Sequence, residues 1–117
     1  MRYMMLLRLD PAAQPGAPGE ELMAEMGKLL EEMTRAGVLL DTGGLRPVEE
    51  GTVLRLSGGK QTVVDGPYAE AKEVVGGYLL LQARSLEEAA EWGGRFLAIH
   101  GDGWEVDAEI RQVVEPD

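Results

Sequence analysis

Cysteine is absent from this sequence, so disulfide frameworks, thiolate nucleophiles and Cys-based zinc or iron–sulfur sites are all excluded. Histidine occurs once, at His100, which rules out a multi-histidine metal centre. Asparagine is missing too, and aromatic residues make up only 5% of the chain. Positive charge is scarce: 11 Lys and Arg stand against 21 Asp and Glu, for a formal net charge of −10. A nucleic-acid binder gains affinity by displacing counterions with cations, and an anionic membrane surface asks for the same. Neither partner suits this balance. No apolar run approaches the roughly 20 residues of a membrane span, and the N-terminal apolar stretch is too short for a signal peptide. The expectation is a cytoplasmic protein with no metal and no cofactor.

What is present is ample apolar material. In 117 residues, 44% are hydrophobic, enough for one core and one domain spanning residues 1–117. Tyr3 to Leu9 reads as a buried strand, and the proline-rich stretch from Pro11 to Pro18 as a loop. Leu22, Met26, Leu29, Leu30 and Met33 recur at helical spacing from about Glu20 to Ala36, and Gly37 stops that helix. A strand begins at Val38–Leu40 and runs into Gly43 and Gly44.

Thr52–Leu56 and Gln61–Asp65 flank Ser57-Gly58-Gly59-Lys60, the pattern of a β-hairpin. A strongly apolar strand follows at Tyr78–Ala83. Ser85 and Glu88 form a capping box that opens a second helix reaching about Leu97, with an inward stripe of Leu86, Ala89, Ala90, Gly93, Phe96 and Leu97. Trp104 to Val114 alternates as a final strand. The order β-α-β-(hairpin)-β-α-β predicts an α+β split βαβ sheet with both helices on one face. The other face has no element left to cover it, so a second copy is the expected lid and a homodimer the expected state.

Asp65-Gly66-Pro67-Tyr68-Ala69-Glu70-Ala71-Lys72-Glu73 is the most distinctive stretch. Asp65 has two readings: it caps backbone N–H groups in a turn, or it is a half-buried carboxylate with a raised pKa working as a general acid or base. His100 is either a loop histidine or a proton shuttle. Arg111, if it faces the sheet interior, needs a carboxylate such as Asp65 or Glu70, forming an ion pair or half of an anion pocket. Asp41 and Thr42, after the second strand, are candidates for the same cleft.

The nine-residue stretch resembles the motif of the YCII-related proteins, in particular the branch with a DGPF motif. The match falls on Asp65, Gly66, Pro67, Ala69, Glu70, Lys72, Glu73, Gly76 and Gly77, and extends to Arg35-Ala36-Gly37-Val38-Leu39, Gly44-Leu45, Leu86-Glu87-Glu88-Ala89 and Glu109-Ile110-Arg111. Tyr68 replaces the usual Phe, Ala71 a Thr, and Gln112 a Pro. The resemblance implies a ferredoxin-like domain that pairs into a dimeric α/β barrel. It implies three rival functions. One is a cytoplasmic homodimer binding a small organic ligand near the Asp-Gly-Pro turn, with Asp41, Tyr68, Glu70, Lys72 and Arg111 as contacts. Another is a cofactor-free lyase or isomerase using Asp65, with Arg111 or Lys72 stabilising an enolate-like charge. The third is a module that engages an extracytoplasmic-function sigma factor through its acidic surface. An Asp–His couple in the broader family places its histidine on the first helix, where this chain has Met26.

Overall fold

A computed structural model describes residues 1–64 and 73–116. Six strands and two helices follow the expected order: β1 Arg2–Leu9, α1 Glu20–Arg35, β2 Leu39–Gly44, β3 Val53–Ser57, β4 Lys60–Val64, β5 Val74–Gln82, α2 Leu86–Ala98 and β6 Val106–Gln112. Short 3-10 turns at Pro11–Ala13 and Val48–Glu50 interrupt the loops. Four strands form one antiparallel sheet in the order β2-β5-β1-β6, and β3 and β4 form a separate two-stranded ribbon. The described residues form no closed barrel.

Strand alternation divides the sheet into two faces. Tyr3, Met5, Leu79 and Leu81 point toward the helices and are buried, together with Leu29 and Met33 of α1 and Ala89 and Phe96 of α2. Burying these side chains contributes roughly 1.5–3 kcal/mol for each large one, which makes this layer the core. Leu86 and Ala90, expected in the inward stripe of α2, are exposed instead. The helix turns Ala89, Gly93 and Phe96 to the sheet; Ala90 lies about 100° around from Ala89, and Leu86 is the first residue of α2, at its open end. At the N-terminus of α2, Ser85 Oγ accepts from the Glu88 N–H at 3.1 Å. The reciprocal half of the capping box is absent, because Arg84 Nε donates to the Glu88 carboxylate at 2.7 Å.

The hairpin turn is as the sequence predicts. Gly58 and Gly59 have φ of 58° and 78°, the two left-handed residues that a two-residue type I′ loop demands. β5 begins four residues before its expected start. Gly76 and Gly77, which read as a break, lie inside the strand beside a register shift opposite Leu7 and Arg8.

Candidate functional site

Between the sheet and the two helices lies a cavity of about 370 Å³. Its sheet side comes from Leu7 and Leu9 of β1, Leu79 of β5 and the glycine stretches Gly43–Gly44 and Gly76–Gly77. Met26 and Leu30 of α1 and Phe96 of α2 close the opposite side, and His100, Trp104 and Val106 close the end beyond α2. The glycines keep this floor thin. A Cβ on Gly77 would lie 3.0 Å from the Gly43 carbonyl oxygen, and one on Gly76 would lie 2.7 Å from Leu9 Cδ2.

Few polar atoms reach this space. Thr42 Oγ1 donates to the Tyr78 carbonyl at 2.9 Å, while on the sheet's other face the Tyr78 hydroxyl donates to Asp41 Oδ2 at 3.2 Å. The nearby Asp41 charge, reinforced by that bond, raises the Tyr78 phenol above its ordinary pKa. His100 continues the last turn of α2, its N–H donating to the Leu97 carbonyl at 3.0 Å. Its Nδ1 sits 3.1 Å from the Phe96 carbonyl oxygen. The imidazole lies 5.3 Å from the Phe96 ring and meets Trp104 edge-on at 5.9 Å, centroid to centroid. His100 therefore belongs to an aromatic wall rather than to a surface loop.

The sheet's other face has a different character. Met4, Leu6, Tyr78 and Leu80 form a half-buried apolar centre. Charged groups border it. Arg8 Nη1 lies 2.7 Å from Glu109, and its Nε lies 3.0 Å from Glu73. Glu109 and Glu73, through these hydrogen bonds, push the Arg8 pKa further up. Arg2 pairs with Glu115 at 2.7 Å.

Of the candidates read from the sequence, Asp41, His100 and Arg111 lie within the described residues; Asp65, Tyr68, Glu70 and Lys72 lie outside them. The three described ones do not converge. Arg111, Met4, Leu80 and Asp41 occupy one register row across the open face, which puts Arg111 and Asp41 on opposite edge strands. Three strand spacings of about 4.8 Å separate them, or about 14 Å. Arg111 is exposed, and its described acidic neighbour is Glu109 of its own strand at 3.8 Å. His100 is on the helix side, where Thr42 also lines the cavity. Leu7, Leu9 and Phe96 carry no functional signal in sequence, because apolar side chains at core spacing do not distinguish a filled core from a hollow one. No group of three or more His, Asp or Glu residues suited to a metal ion occurs among the described residues. No described helix is long and apolar enough to cross a membrane.

A two-layer α+β domain with an apolar cavity under an antiparallel sheet is the class that fold and site together define. Within that class the chain belongs to the YCII-related family, whose domain model matches residues 1–105. It is also similar to an uncharacterised protein of Rhizobium meliloti (strain 1021), with 34% identity over 73 residues, or 62% of this chain. The match spans 59% of that relative's length.

Proposed function

We propose that the protein binds a small, largely apolar organic molecule in the cavity between its sheet and helices. The observation that supports this is the cavity itself: about 370 Å³ of largely apolar space between the sheet and the helices. Ligand sites typically range from about 300 to 1,000 Å³, and an apolar hole of about 150 Å³ already accepts benzene. The fold reading that goes with it is ferredoxin-like, with a second copy of the chain over the open sheet face. The Asp-Gly-Pro motif at residues 65–73 supports assignment to the DGPF branch. The lack of cysteine suits a reducing cytoplasm.

A thermal-shift screen with one- and two-ring uncharged aromatics tests this. A ligand at a hundred times its Kd adds about 2.7 kcal/mol, a rise on the order of ten degrees for a domain this size. Met26→Trp, which pushes an indole into the cavity, should abolish the shift while the protein still melts cooperatively. Shifts of equal size in wild type and variant would refute the assignment. The same screen with Asp65→Asn weighs the enzymatic alternative. If Asp65 handles the proton in a lyase or isomerase step, the variant keeps binding and loses turnover of any hit that wild type converts. The sigma-factor reading draws support from the net charge of −10, which suits a basic partner.

A further inference from the structure

The hydrogen-bonding atoms on the cavity wall define its ligand more narrowly than volume does. Thr42 has already donated, to the Tyr78 carbonyl. His100 is different. A carbonyl oxygen only accepts, so the 3.1 Å contact with Phe96 assigns a hydrogen to Nδ1, and Nε2 is the nitrogen that can accept. No described residue bonds to Nε2, nor to the indole Nε1–H of Trp104, the donor beside it on the same wall. Neither residue is exposed, yet no buried polar side-chain atom among the described residues lacks a partner. Both nitrogens are therefore solvent-accessible rather than sealed in the core. No described Lys or Arg lines the cavity.

We infer that the cavity selects an uncharged ring compound carrying a hydroxyl group, with His100 Nε2 accepting the hydroxyl hydrogen. This inference rests on the cavity reading above and deepens it. A hydroxyl both donates and accepts, which matches an acceptor and a donor on one wall. An ether offers only half of that. A carboxylate would lose its hydration with no described cation to replace it, and it would meet the lone pair of Nε2. Phe96, His100 and Trp104 present ring faces and edges to a flat body, and about 370 Å³ is room for two fused rings.

The test is a calorimetric titration of the full chain with 2-naphthol, naphthalene, 2-methoxynaphthalene and 2-naphthoate. These four share a ring system and differ in the polar group. The expected order is 2-naphthol tightest, by about fivefold over naphthalene, since a neutral hydrogen bond contributes about 1 kcal/mol net. 2-Methoxynaphthalene should fall nearer to naphthalene than to naphthol, and 2-naphthoate should not bind at concentrations that saturate with naphthol. His100→Phe keeps a ring in the wall and removes the acceptor, so it should bring naphthol down to the affinity of 2-methoxynaphthalene. Equal affinity for naphthol and naphthalene in wild type overturns the hydroxyl selection and leaves the cavity reading standing. A naphthol advantage over 2-methoxynaphthalene that survives His100→Phe overturns the role of Nε2, and tight binding of 2-naphthoate overturns the claim of an uncharged ligand. If His100→Phe does not fold, the naphthol-to-methoxynaphthalene ratio in wild type decides alone. Failure of both naphthol and naphthalene to bind overturns this inference and the cavity reading together.

Discussion

Gly77 and Gly94 show how much a single missing Cβ matters here. Gly77 lies in β5 against β2, where a methyl would lie 3.0 Å from a backbone carbonyl that cannot swing aside. Gly94 lies on the exposed side of α2 with nothing within 4 Å. Gly77→Ala should therefore destabilise by about 1–3 kcal/mol, the usual cost of forcing atoms into a packed site, and it should shift the floor of the cavity. Gly94→Ala should stabilise by about 0.5–1 kcal/mol, because alanine is the better helix former and loses less entropy on folding. Urea midpoints of the two variants check both signs; a destabilised Gly94→Ala would contradict the open surroundings described for it. Site residues were less legible than this contrast suggests. The role of His100 depends on the Phe96 carbonyl four residues back and on Trp104 four residues on, and neither contact follows from residue type. Arg111 read as a possible core cation because an isolated arginine in an alternating strand has no visible face; the register opposite Met4 gives it one.

At the scale of elements, the sequence was most informative where periodicity is long. α1 and α2 match their expected spans to within a residue or so, since each carries several turns of amphipathic pattern and a terminal signal. The hairpin was legible from its paired glycines for the same reason. β5 was only half legible, because glycine pairs signal turns in sequence and close strand approach in a sheet, and only the neighbouring β2 distinguishes the two. The helices are also tied to each other, since Arg95 forks onto the Glu32 carboxylate, with Nη2 to Oε1 at 2.9 Å, while its guanidinium lies 4.9 Å from the centre of the Trp92 ring. The hydrogen bond from Arg95 holds the Glu32 carboxyl below its ordinary value of 4.5, and Arg2 does the same for Glu115. A carboxylate whose pKa is lower in the folded state adds stability above its unfolded value and loses it as pH falls through the folded one. Stability should thus decline below about pH 4.5, where these pairs protonate. Glu32→Gln should flatten that decline while costing little at neutral pH, because both side chains are half exposed and screened by water. Urea midpoints of wild type and variant from neutral pH to about pH 3 measure this; identical acid slopes would remove Glu32 from the account.

The whole molecule is wider than a self-sufficient domain of its length needs to be. Its radius of gyration is 16.1 Å, against about 13 Å for a compact chain of this size, and its shortest dimension is 18 Å against 45 and 44 Å for the others. Two features account for the excess. The sheet is covered by helices on one face only, and the β3–β4 ribbon projects Leu54, Leu56 and Val63 at 68%, 71% and 62% exposure. The ribbon, residues 52–64, also carries Arg55 and Lys60 and no acid, in a chain whose net charge is −10. A basic, apolar-faced ribbon and an open apolar sheet face on one polypeptide can cover each other in a second copy. Light scattering should accordingly give twice the 12.7 kDa of one chain. Leu80→Arg, which puts a cation in the middle of the open face and leaves the helix-side core untouched, should shift the mass toward a single chain. Leu54→Ser with Leu56→Ser should weaken the dimer less if the ribbon only borders the contact, and as much if the ribbon wraps the partner. A wild-type mass of one chain at all concentrations would remove the second copy, and the open face would then be the binding surface of some other macromolecule.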